Sequence, residues 1–92
     1  MDLSDWRARI DMVDQIVVDL LNKRLSYAEE IGKIKRVRGQ QILDPDREKA
    51  VLHGVVDYNQ GPIRSQTLIA IFKYIIQEAR ELEEKQEEAN LL

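Results

Sequence analysis

The longest uninterrupted helical pattern, near the N-terminus, sets the tightest limit on the fold. Between Ser4 and Arg38 there is no proline, and Gly32 is the one glycine. Apolar residues recur there at intervals of three and four, which predicts a single amphipathic helix. Ser4 or Asp5 is expected to cap its start, and Gly39 to follow its end. The apolar positions are Trp6, Ile10, Val13, Val17, Leu20, Leu21, Leu25, Ala28 and Ile31.

A helix of this length cannot be covered by the rest of the chain. About 34 residues at ~1.5 Å per residue extend roughly 50 Å, about twice the span of a compact domain of this size. The uncovered apolar stripe therefore predicts pairing with a second copy, in a homodimer.

The remaining residues predict two further helices and no strand. Residues 39–43 form the connection, and Asp44 with Pro45 is a typical helix start. This second helix is short and ends before the turn signal at residues 59–62. A medium-long third helix begins at Ser65. Its apolar face consists of Leu68, Ile69, Phe72, Ile75, Ile76, Ala79 and Leu82. The chain is thus predicted to be all-α, with three helices.

Composition excludes several classes of function. With 34% charged residues and a net charge of −3, the chain is not built to coat nucleic acid or anionic membrane. It has no cysteine, and its lone His53 cannot form a metal site by itself. The charged N-terminus and the lack of an apolar run of ~20 residues predict a cytoplasmic protein. Residues 1–92 are expected to form one domain.

Two cations interrupt the apolar stripe of the first helix. Arg24 and Lys35 differ by only about 20° in direction and lie roughly 16 Å apart along the axis. Long side chains on such a stripe often lay their methylenes on apolar surface and keep the charge in water. The alternative is that both lean toward one small anion, because unpaired buried cations are costly. Arg7 lies about 42 Å from Lys35, so it can serve the same site only from a partner chain.

Acidic residues flank the predicted core faces of the other two helices. Asp44 is a good N-cap, and Arg47 and Glu48 fit either an exposed first turn or a site at the edge of the core. Glu83 lies one turn after Ala79, against the apolar face of the third helix. The other glutamates of this segment are expected to face solvent. They are Glu78, Glu81, Glu84, Glu87 and Glu88.

The order and spacing of these segments resemble the all-helical, AroQ-type chorismate mutases. The resemblance runs from "WRARIDMVDQIVVDLLNKR" through "EIGKIK" and "DPDRE" to "IFKYIIQEARELE". It implies an intertwined homodimer and the Claisen rearrangement of chorismate, a small dianion, to prephenate. It also implies no cofactor and no metal, because the reaction is concerted within one molecule and needs only positioning and charge stabilisation.

The resemblance also implies roles for individual residues. Arg24 and the partner subunit's Arg7 hold the two carboxylates, with Arg47 nearby. Lys35 bridges a carboxylate and the breaking ether oxygen, which Glu83 also contacts. The ring hydroxyl is bound by Glu48 and the Asp44 region. These residues are the candidate site, with Lys35, Glu83 and Arg24 as its catalytic members: Arg7, Arg24, Lys35, Asp44, Arg47, Glu48, Ala79 and Glu83.

Two positions of the candidate site call for caution, and other functions stay open. Many relatives have a hydroxyl residue where this chain has Ala79, and Glu83 donates to the ether oxygen only when protonated. One alternative is a pericyclic enzyme similar to isochorismate-pyruvate lyase, although the Asp and Glu of "DPDRE" favour the mutase. The other is a noncatalytic helical dimerisation or regulatory module.

Overall fold

The computed structural model describes the backbone of residues 1–91 and the side chains of residues 1–85. Its three helices are α1 (Leu3–Arg38), α2 (Pro45–Tyr58) and α3 (Ser65–Leu91), with no strand in this part of the chain. The predicted all-α class is therefore confirmed, as are the long first helix of 36 residues and the short second helix of 14.

The start of α1 differs from the prediction. Asp2, not Ser4 or Asp5, is the N-cap: its carboxylate accepts a hydrogen bond from the Asp5 backbone N–H at 3.1 Å, and the Asp5 carboxylate accepts one from the Asp2 N–H. The Ser4 hydroxyl donates to the Asp2 carboxylate, and this bond, followed by that from Asp5, lowers the pKa of Asp2. Several residues here can cap a helix, and the reciprocal pair satisfies more free N–H groups than one cap would.

The two connections follow the sequence signals. α1 ends at Gly39, whose φ of 67° lies in the left-handed region that favours glycine. Asp44 caps α2 by accepting from the Arg47 N–H at 3.1 Å, and Pro45 takes the first helical position. After α2, the Asn59 amide donates to the Ile63 carbonyl and accepts from the Gly61 N–H, each at 2.9 Å. The predicted turn is thus confirmed.

Packing within one chain leaves most of α1 uncovered. α3 packs against both α1 and α2. Yet Ala28 and Ala79 are the only buried apolar residues among those described, and residues 1–23 are all exposed. The chain measures 55 × 28 × 15 Å, so the N-terminal half of α1 extends beyond the other helices. Trp6, Ile10 and Val13 remain more than half exposed, as expected for a stripe that the rest of the chain cannot reach. None of the described helices is long and apolar enough to span a bilayer.

Candidate active site

A cavity of about 320 Å³ lies between the C-terminal half of α1, the loop that follows it, α2 and α3. Its volume falls in the range of small-molecule binding sites. The residues that line it are Arg24, Tyr27, Ile31, Lys35, Ile42, Asp44, Arg47, Glu48, Val51, Ile76, Ala79, Arg80 and Glu83.

Seven of the eight predicted site residues line this cavity. The exception is Arg7, which lies on the exposed N-terminal part of α1. At a rise of ~1.5 Å per residue, 28 positions of continuous helix place it roughly 42 Å from Lys35 along the axis. No single small ligand reaches both residues of one chain.

Lys35 lies in the last turn of α1, where two groups hold its side chain. Its Nζ atom donates a hydrogen bond of 2.8 Å to the Ile42 carbonyl, in the connection to α2. The same nitrogen lies 3.8 Å from Oε2 of Glu83 on α3, and the Lys35 side chain is 18% exposed. Because its contacts come from two other parts of the chain, the ammonium group has a fixed direction within the cavity.

Glu83 is the most buried charged residue in the described part of the chain, with 8% of its surface exposed. Burial raises the pKa of the Glu83 carboxyl above its ordinary value, because desolvation disfavours the charged form. The Lys35 ammonium on α1 opposes this shift, and the neighbouring Glu84 on α3 adds to it. A carboxyl in this position remains protonated to higher pH and then has an O–H to donate.

Gly32 allows α3 to approach α1 beside Glu83. A Cβ atom at this position would lie 3.0 Å from Cγ of Glu83, 3.2 Å from its Cβ and 3.4 Å from its Cα. At Gly54 on α2, by contrast, an added Cβ meets nothing within 4 Å. Only the first glycine is therefore required by packing.

This difference predicts opposite effects for two Gly→Ala changes. Gly54→Ala should stabilise the protein by about 0.5–1 kcal/mol through helix propensity. The free energy of unfolding of Gly32→Ala should be about 1–3 kcal/mol lower than that of Gly54→Ala, because overpacking displaces Glu83. Urea denaturation of the two variants and the wild type measures both values. Equal stabilisation by both changes would contradict a packing role for Gly32.

One further charged residue of the cavity, Arg80, was not predicted from the sequence. Nη2 of Arg80, on α3, lies 2.5 Å and 2.8 Å from the two carboxylate oxygens of Glu48. Arg80 follows Ala79 and precedes Glu83 by three positions, so helical spacing was a signal for it. Glu48 lies 32 residues away, and no local pattern indicates that pairing.

The other unpredicted residues of the lining are apolar or aromatic. Tyr27 follows Arg24 by three positions, and Val51 and Ile76 belong to the predicted apolar faces of α2 and α3. Ile42 comes from the connection. The glutamates expected to face solvent do so where the structure describes them, at Glu78, Glu81 and Glu84; Glu87 and Glu88 lie outside the described side chains.

The lining combines four cations with three carboxyl groups. Arg24, Lys35, Arg47 and Arg80 are the cations, and Asp44, Glu48 and Glu83 are the acids. No lining residue is Ser, Thr, Cys or His. In residues 1–85, no group of three or more His, Asp or Glu side chains is arranged to hold a metal ion. Such a cavity suits a small anion and a reaction that depends on position and charge.

Comparison with known protein families gives a match over most of the chain. Residues 6–84 match the family described as chorismate mutase type II. The chain is 30% identical over 91 residues to the chorismate mutase of Methanocaldococcus jannaschii. This alignment covers 90% of this chain and 85% of that protein. It is 32% identical over 81 residues to the bifunctional chorismate mutase/prephenate dehydratase of Neisseria gonorrhoeae, covering 88% of this chain and 22% of that protein. The chain thus spans about a quarter of the length of the bifunctional relatives it matches.

A solved structure has the same fold. Chorismate mutase (form II) from Thermus thermophilus superposes with a TM-score of 0.88 at 31% sequence identity. The superposition covers 91% of this chain and 96% of that one.

Proposed function

Because this chain belongs to the type II chorismate mutase family, we propose that it catalyses the Claisen rearrangement of chorismate to prephenate. The observation that carries the proposal is the cavity, where four cations surround a volume suited to one small dianion. Chorismate has two carboxylates, an enolpyruvyl ether and a ring hydroxyl, and the lining offers a group of suitable charge for each.

The cations hold the substrate in a reactive shape. Arg24 binds one carboxylate, which suits the planar fork of a guanidinium, and Arg47 adds positive charge nearby. Fixing both ends of the molecule keeps the flexible enolpyruvyl chain over the ring, so the two reacting carbons stay close. Lys35 donates to the ether oxygen, where negative charge gathers as the C–O bond breaks.

The acids serve the remaining polar atoms of the substrate. Glu48 and the Asp44 region accept a hydrogen bond from the ring hydroxyl. Glu83, when protonated, donates to the ether oxygen beside Lys35, whose Nζ atom lies 3.8 Å from Oε2 of Glu83. In this proposal Lys35, Glu83 and Arg24 are the catalytic residues, while Ala79 contributes only surface.

The active form in this proposal is an intertwined homodimer. The exposed apolar stripe of α1 supports it, since residues 1–23 have no cover within one chain. Pairing of two such helices brings the partner subunit's Arg7 to the cavity, where it binds the second carboxylate. Each of the two sites then depends on both chains.

The raised pKa of Glu83 predicts activity that declines from acid toward alkaline pH. Its folded pKa lies above the ordinary 4.5, so the protonated, donating form is lost only as pH rises through that raised value. Glu83→Gln, whose amide donates at every pH, should have a flatter profile of kcat/KM. Values of kcat/KM for the wild type and Glu83→Gln, measured from acid to alkaline pH, test the prediction. The same pH profile in both proteins would contradict it.

The same shift has a consequence for stability. A carboxyl whose pKa is raised by folding binds its proton more tightly in the folded state. Its contribution to the free energy of unfolding is therefore fully present below pH 4.5 and is lost as pH rises through the raised value. The free energy of unfolding of the wild type should therefore fall relative to that of Glu83→Gln over this interval.

Product analysis tests the function itself. The purified protein is incubated separately with chorismate and with isochorismate, and the products are identified. Prephenate from chorismate supports the proposal. Release of pyruvate from isochorismate alone would assign the lyase reaction instead, and binding of chorismate without turnover would indicate a noncatalytic module.

A further inference from the structure

The ion pair between Arg80 and Glu48 joins two helices at the wall of the cavity. Both carboxylate oxygens of Glu48 contact Nη2 of Arg80, and the two side chains are 28% and 33% exposed. The Nε atom of Arg80 is buried without a hydrogen-bond partner among residues 1–85. The Arg80 guanidinium thus contacts the carboxylate of Glu48 on α2, and not a described side chain of its own helix, α3.

This contact fixes a side chain that would otherwise be free to rotate. Glu48 lies in the first turn of α2 and has three rotatable bonds, whose ordering costs conformational entropy. Arg80 anchors it from α3, beside Ala79, which presents only a methyl group to the cavity. The direction of the Glu48 carboxylate is therefore set by the packing of α2 against α3.

The pair also changes what the carboxylate presents to a dianion. An unpaired Glu48 would repel an anionic substrate, whereas the adjacent positive charge offsets this repulsion. An ionised carboxylate has about four lone-pair sites, and two contacts to Arg80 leave sites to accept a hydroxyl proton. Arg80 therefore compensates the charge of Glu48 and leaves it an acceptor.

We propose that Arg80 is a positioning residue that holds Glu48 ready to accept the hydrogen bond of the substrate's ring hydroxyl. The inference rests on the proposed function, because it needs that hydroxyl in the cavity. It predicts that Arg80 matters more for substrates that carry the hydroxyl, because its charge compensation of Glu48 acts equally on every dianion. A cation that bound a carboxylate directly would matter equally for all of them.

The test compares chorismate with an analogue in which the ring hydroxyl is replaced by hydrogen. Arg80→Gln should lower kcat/KM for chorismate about tenfold, a modest loss because the pair is partly exposed. With the analogue, which is still a dianion, only the charge compensation is lost, so the variant should fall no more than about threefold below wild type. Lys73→Gln is the matched control: it removes a positive charge from α3 at an exposed position outside the lining and should leave both rates unchanged.

A double variant tests the path through Glu48. Once Glu48→Gln has removed the carboxylate, adding Arg80→Gln should cost no more than about twofold on chorismate. If Arg80→Gln does not fold, Arg80→Lys, which retains the charge but not the fork, is measured on the same two substrates. Equal losses on chorismate and the analogue, or additive losses in the double variant, would overturn the positioning role alone. A wild-type protein that does not convert chorismate would instead overturn the proposed function.

Discussion

Lys35→Ala is expected to lower kcat/KM for chorismate about 10²–10³-fold, the loss typical of removing one donor to a developing oxyanion. The reason lies in how few groups can replace its ammonium. Its Nζ atom is fixed between the Ile42 carbonyl at 2.8 Å and the Glu83 carboxyl at 3.8 Å, at the end of the cavity. Without it, the ether oxygen loses its charged donor. The pKa of Glu83 then rises further, because Lys35 is the cation that opposes the shift, and a neutral carboxyl is the donor that remains.

Lys33→Ala is the control for this change. Lys33 is exposed and, among the side chains of residues 1–85, forms an ion pair with Glu30 at 3.1 Å on the same helix. Lys33 carries the same charge as Lys35 and lies on the same helix, but it does not line the cavity. Its replacement should leave kcat/KM within about twofold of wild type, as surface pairs contribute little. Similar losses in both variants would show that general charge, and not the site, controls the rate. Urea denaturation of each variant separates this effect from unfolding.

The second large effect is recovery of activity in a mixed dimer. Arg7→Ala and Arg24→Ala, each alone, should lose most activity, because every site then lacks one carboxylate-binding arginine. In a mixed dimer one site combines the intact Arg24 of one chain with the intact Arg7 of the other, and the second site lacks both. Random pairing of equal amounts makes half of the dimers mixed, so co-refolding should restore about a quarter of wild-type activity.

The matched control for this experiment is a change at a neighbouring arginine, Arg9, in place of the change at Arg7. The Arg9 guanidinium lies over the Trp6 ring at 5.2 Å, and Arg9, like Arg7, is exposed on α1. Arg9→Ala should retain activity by itself. No recovery when Arg7→Ala and Arg24→Ala are refolded together would show that each site is built from one chain. A wild-type protein that sediments as a monomer would contradict the shared site directly.

Local signals in the sequence predicted the helices because the residues that begin and end them act over one turn. Asp44 with Pro45 and the left-handed Gly39 have few alternative uses, so each marks a helix boundary clearly. The exception is the start of α1, where Asp2, Ser4 and Asp5 can all cap. Choosing among them requires the reciprocal hydrogen bonds that only the folded backbone shows.

The site was predicted less completely because its pairings are not local. Helical spacing placed Arg24 and Lys35 on one side of α1, and the structure has both at the cavity. It could not pair Glu48 with Arg80, since their contact depends on how α2 packs against α3. Nor could it show that Gly32 lets the Glu83 side chain approach α1, because a glycine within a helix has the same local signal whether or not another helix lies against it.

In the proposed dimer, the exposed stripe on α1 would link catalysis to protein concentration. A chain whose described core contains only two buried alanines gains little by folding alone. Assembly would therefore supply much of the free energy that keeps each chain structured. On dilution, such a protein should lose its rate and its helical signal together, and its thermal midpoint should rise as more of it is added.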